Sequence, residues 1–156
     1  MKYNQKRHIE LLKRSKDLKN QRKNLFIENP EEDFELGQYN RAVAEHFFWQ
    51  DRDQVALLMK NFLNKKIDGE LFCDQVYGIR RKLINTCDKF NFELISSSEK
   101  IKNFQPDGRS KKLRGFLTGL YCECEYFAEA EDYQNEEFYD SIKNGFLNFQ
   151  KALNKE

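Results

Sequence analysis

The sequence predicts an all-α protein, an antiparallel helical bundle of about four core helices with an additional N-terminal helical region. Three observations carry that expectation. Only 2 Pro and 7 Gly punctuate 156 residues, and Thr and Val are scarce, which disfavours a sheet with a turn about every ten residues. Apolar residues recur at three- and four-residue spacing along most of the chain. The apolar material is concentrated in 14 Phe and 7 Tyr, so few residues suffice for a core, and the length allows one domain without disulfides or metal.

Residues 4–26 are helix-permissive and highly charged, with Leu11, Leu18 and Leu25 at seven-residue spacing beside Ile9 and Leu12. The stripe is narrow, so this helix is expected to lie along the outside of the core or to await a partner. Pro30 disfavours helical geometry at Asn29 and lacks its own donor. A division follows: residues 1–29 as a basic N-terminal helix or arm, and residues 30–156 as the bundle domain.

Glu31, Glu32, Asp33 and Glu35 suit the first turn of the next helix, expected to run to about Phe48 with Tyr39, Val43 and Phe47 on its buried side. Asp51 or Asp53 then caps a helix carrying Val55, Leu58, Met59, Phe62 and Leu63. After a turn at 64–69, Asp68 caps the best-patterned helix, with Phe72, Val76, Ile79, Leu83, Cys87 and Phe90 inward. The pattern weakens through residues 91–104, read as a loop holding at most a short helix from Ser98 to Asn103. Ser110 is expected to cap a long helix from Lys111 to about Tyr133, in which Gly115 and Gly119 suggest close approach of another helix. A last helix, capped by Asn135, runs to about Leu153 with Phe138, Ile142, Phe146 and Phe149 inside.

No segment has the length of a membrane span or the pattern of a secretory signal, and four cysteines are too few for a secreted disulfide scaffold. A soluble protein of a bacterial cytoplasm or an organelle stroma is expected, and the Lys-, Asn-, Phe- and Ile-rich composition fits an adenine-and-thymine-rich genome. His8 and His46 have no Cys or carboxylate at metal-ligand spacing. Cys122 and Cys124, two apart on a helix, point to nearly opposite sides. The chain contains no glycine-rich phosphate loop and no nucleophile elbow, and its carboxylates crowd one helix instead of converging from several elements. Neither an enzyme, a metal site nor a cofactor is expected.

The net charge of +1 hides a strong asymmetry. Residues 1–24 carry nine Lys or Arg against two acids, whereas residues 121–140 carry eight acids and no base. Glu125, Glu129, Asp132 and Glu136 form an anionic stripe, with Glu131, Glu137 and Asp140 at its end. Like charges at this spacing repel, and steering a basic partner protein is the use they suit. The alternative surface is the basic helix, where Lys6, Arg7, Lys13, Arg14, Lys16, Lys19, Arg22 and Lys23 offer contacts to nucleic-acid phosphates. With only Tyr3 and Phe26 nearby, that helix is poorly equipped for base stacking. It could also fold back on the acidic helix or pair with it in a second copy, which leaves a homodimer open.

From about Val55 onward the chain resembles the colicin D type of bacterial immunity protein. The resemblance lies in Leu57-Leu58-Met59-Lys60-Asn61-Phe62-Leu63, then Lys66-Ile67-Asp68-Gly69-Glu70-Leu71-Phe72, and in the closing helix from Asn135-Glu136-Glu137-Phe138-Tyr139 through Phe146 and Leu147. It covers about two-thirds of the chain. It implies a four-helix core whose acidic surface plugs the basic cleft of a toxin-like nuclease domain that cleaves transfer RNA; no membrane partner is expected, since no apolar segment is long enough for a span.

Overall fold

The computed structural model describes residues 2–97, 99–129 and 135–154, and the chain is all-α. Its helices are α1 (Gln5–Asn20), α2 (Leu25–Glu28), α3 (Pro30–Gln50), α4 (Arg52–Leu63), α5 (Gly69–Ser96), α6 (Phe116–Glu129) and α7 (Asn135–Asn154), with a 3-10 helix at Gly108–Leu113. No strand occurs among the described residues.

Local chemistry explains most of the helix ends. Asn4 accepts from the Arg7 N–H at the start of α1, Asn24 from Phe26 at α2, Asn29 from Glu32 at α3, and Asp68 from Leu71 at α5, so side-chain oxygens satisfy otherwise orphaned donors. Pro30 is the first residue of α3, where a missing N–H costs nothing. Asp51 occupies the position before α4 without capping it: its backbone, at φ −88° and ψ 3°, is not in the extended region typical of a cap, and its carboxylate pairs with Lys82 at 2.9 Å.

Two apolar clusters form the interior. The larger joins the end of α3 to α4, the first half of α5, α6 and α7, through Phe48, Met59, Phe62, Phe72, Phe138 and Phe149 among others. Its rings are in mutual contact: Phe62 lies 4.7 Å from Phe72, and Phe127 stacks on Phe138 at 4.4 Å. Such pairs add to what burial alone contributes. The second cluster joins Tyr3, Leu11 and Leu25 to Leu36, Tyr39 and Val43 of α3 and Phe90 and Leu94 of α5. The two long helices α3 and α5 therefore belong to both clusters.

Four local expectations are corrected. The first basic helix stops at Asn20, with Arg22 in the left-handed region (φ 59°), before the separate short turn of α2. Helix α5 continues past Phe90 to Ser96, because Leu94 adds a fully buried anchor; residues 99–103 are turns, and Ser98 lies outside the described residues. Helix α6 begins at Phe116 and not at Lys111. Gly115 has φ +73°, a conformation that interrupts a helix, and Ser110 lies buried within the 3-10 helix, whose cap is Asp107. Finally, a Cβ placed on Gly115 or Gly119 would meet nothing within 4 Å, so neither glycine makes room for a neighbour. The glycine that does so is Gly69, where an added Cβ would lie 2.7 Å from Cζ of Phe127.

Candidate surfaces and the buried histidine

The acidic residues divide into inward and outward sets. On α6, the core-facing positions are Leu117, Leu120 and Cys124. Glu125 lies to one side of them and is half-buried, and its charge bears on the hydroxyls of Tyr77 and Tyr121. Burial first, and this carboxylate second, hold the Tyr77 hydroxyl above its usual range. Glu125 thus lies near Tyr77 of α5 as well as Tyr121 of its own helix. Glu129 is exposed and shares the outward face of α6 with Cys122 and Tyr126, residues three and four positions apart. Tyr126 is 67% exposed.

The stacking of Phe127 on Phe138 sets the end of α6 against the first turn of α7, where Glu136, Glu137 and Asp140 are exposed. Glu136 and Glu137 also sit where a helix favours negative charge. Glu129, Glu136, Glu137 and Asp140 make no ion pair among the described residues, while Glu131 and Asp132 lie outside those residues. Glu136 and Asp140 line a cleft of about 710 Å³ together with Lys65 and Lys66 from the turn between α4 and α5.

The basic helix does not turn toward these acids. Arg7 pairs with Glu35 at 2.9 Å and Glu32 at 3.3 Å, and Arg14 with Glu32 at 2.9 Å, which ties α1 to the acidic first turns of α3. The Glu35 carboxyl is held below its usual value, chiefly by its hydrogen bond from Arg7. Lys23 approaches Glu28 at 3.9 Å. Lys6, Lys13, Lys16, Lys19 and Arg22 are exposed and make no ion pair among the described residues.

His8 was visible in the sequence only as a polar residue on a charged helix. It is fully buried, three residues before Leu11 on the same face, and that spacing is the signal that identifies it. Its ring stacks on Tyr39 at 5.4 Å. Nδ1 lies 2.9 Å from the Tyr3 hydroxyl, and Nε2 lies 3.1 Å from Oδ1 of Asn40, which also accepts from Asn91 at 3.0 Å. Since Asn40 Oδ1 is an acceptor, Nε2 carries the proton and Nδ1 accepts from Tyr3. Burial disfavours the imidazolium and lowers the His8 pKa below its ordinary value; the hydrogen bond with Asn40 opposes this weakly.

His8 is therefore neutral when folded, whereas in the unfolded chain it takes a proton as pH falls through about 6.5. Stability should decline below that pH, at up to about 1.4 kcal/mol per pH unit for one such group. Denaturation titrations at pH 7.5, 6.5 and 5.5 should reveal this slope, and His8→Gln should remove its larger part. His46, whose pKa is also lowered by burial, supplies the remainder. An unchanged slope in His8→Gln would contradict the assignment.

Among the described residues, no group of three or more His, Cys, Asp or Glu is placed to hold a metal ion, and no helix is long and apolar enough to cross a membrane. Comparison with family models, curated proteins and solved structures returned no match to this chain.

Proposed function

We propose that this chain is a non-enzymatic protein-binding module, an inhibitor or adaptor of the immunity-protein kind. It meets a basic partner, such as a toxin-like nuclease domain, through the outward face of α6 and the start of α7. The observation that carries this reading is Tyr126, a large exposed ring on the same helix face as Glu129, on a helix whose end packs against the first turn of α7 and its unpaired carboxylates. Tyrosine is enriched among residues that dominate protein–protein binding, and the surrounding charge steers an oppositely charged surface. Glu125, half-buried near Tyr77, stands at the edge of this face.

Affinity capture from native lysate, with nuclease-treated controls and mass spectrometry, tests it. Tyr126→Ala combined with Glu129→Lys, Glu136→Lys, Glu137→Lys and Asp140→Lys should lower retention of a basic protein at least about tenfold, the equivalent of ~1.4 kcal/mol. The melting temperature should fall by only a few degrees, the cost of placing positive charge at the N-terminus of α7 through Glu136→Lys and Glu137→Lys. Unchanged retention would refute the proposal.

A second reading rests on the five exposed, unpaired cations of α1 and the turn after it, Lys6, Lys13, Lys16, Lys19 and Arg22. In that reading the retained material is nucleic acid, its retention is abolished by nuclease and weakened steeply by salt. Replacing these five cations with glutamine separates the two readings and leaves the Arg7 and Arg14 ion pairs in place.

A further inference from the structure

A cleft of about 510 Å³ lies where α3 and α5 meet the chain entering α6. Its apolar lining includes Phe48, Leu83, Leu113 and Leu117, of which Phe48, Leu113 and Leu117 are buried. Arg41, Arg80 and Arg114 also line it, one from each of the three segments.

The three guanidinium groups differ in how they are held. Arg114 is engaged by Glu45, with Nε 2.6 Å from Oε1, and Glu45 is the single carboxylate lining the cleft. Arg80 is placed without being neutralised, its guanidinium 4.2 Å from the centre of the Tyr121 ring. Arg41 is exposed and makes no ion pair among the described residues. An apolar recess with two uncompensated cations is complementary to one kind of ligand: an anionic head on an apolar body. The volume lies within the range of small-molecule sites, which are mostly apolar with a few polar groups that fix orientation.

We infer that this cleft binds a small organic anion, a carboxylate or sulfonate joined to an apolar ring or branched chain. Its head lies between Arg41 and Arg80, and its body covers Phe48 and Leu83. Arginine suits that task because its planar fork matches an oxyanion in a bidentate manner. Arg114 keeps its bond to Glu45 and forms the rim. None of these residues belongs to the proposed partner-binding face, so either inference can fail without the other.

Fluorescence titration with 8-anilinonaphthalene-1-sulfonate, beside its uncharged analogue N-phenyl-1-naphthylamine, provides the test. The sulfonate should bind saturably to the intact chain. Arg41→Gln with Arg80→Gln should weaken it about tenfold, as expected for loss of charge-assisted hydrogen bonds, and leave the neutral probe within about twofold. Ile84→Glu, at a residue that is 45% exposed and lines the same cleft, offers a variant that needs no core change and should also reduce sulfonate binding. Near-ultraviolet circular dichroism checks that each variant retains its fold. Absence of saturable sulfonate binding, or equal affinity in the arginine variants and the parent, would overturn the inference.

Discussion

Phe72→Ala should destabilise the protein by about 3–5 kcal/mol, a large part of the 5–15 kcal/mol typical of a folded domain. Phe72 is fully buried, its ring lies 4.7 Å from Phe62 and 6.0 Å from Phe138, and it sits one turn inside α5 in the cluster that unites five helices. Alanine removes apolar surface from the interior and leaves a space that surrounding rings cannot easily close. Phe92→Ala is the matched control, since that ring is on the same helix but 65% exposed. It should cost no more than about 0.5 kcal/mol. Urea denaturation of both variants decides the matter, and similar midpoints would show that the larger cluster is not the centre of stability.

Removing residues 1–24 should cost at least about 5 kcal/mol and leave the remaining chain partly unfolded. The truncation strips Tyr3 and Leu11 from the second cluster and exposes Leu36, Tyr39, Val43, Phe90 and Leu94. It also deprives Asn40 of its bond with His8, and Glu32 and Glu35 of Arg7 and Arg14. Each side chain of that size contributes about 1.5–3 kcal/mol when fully buried, and an orphaned polar group adds its own penalty. Loss of amide-exchange protection in α3 and in the second half of α5 is the expected signature. Full protection in the truncated chain would mean that the basic segment adds little to the fold. Loss of nucleic-acid binding on truncation could not be assigned to lost charge, which is why the glutamine substitutions are the sharper test.

Elements with strong period and clear caps were legible in the sequence. The α5 pattern starting at Phe72 and Val76, the Asp68 cap, and the α4 residues Val55, Leu58, Met59 and Phe62 lie as expected. Periodicity failed where backbone conformation decided: Leu113, Phe116, Leu117 and Leu120 read as one continuous helix, but Gly115 adopts positive φ and divides them. The spacing of His8 from Leu11 marks it as inward, but nothing local reveals that Tyr3, Asn40 and the Tyr39 ring surround it. The outward carboxylates could be named from spacing, but the partial burial of Glu125 near Tyr77 of α5 could not. The arginine-lined cleft was illegible because Arg41, Arg80 and Arg114 are far apart in sequence.

The length of α5 gives the charge asymmetry a spatial meaning. At 28 residues it spans about 42 Å, with Glu136 and Asp140 lining the same cleft as its first residue, Gly69, and α1 packed near Phe90 and Leu94 toward its other end. Electrostatic influence in physiological salt decays over ~8 Å, several times less than that separation. An approaching molecule therefore responds to whichever end it meets and not to the overall charge of +1. A ligand docked beside Glu136 and Asp140 therefore leaves the field around the exposed lysines of α1 little altered.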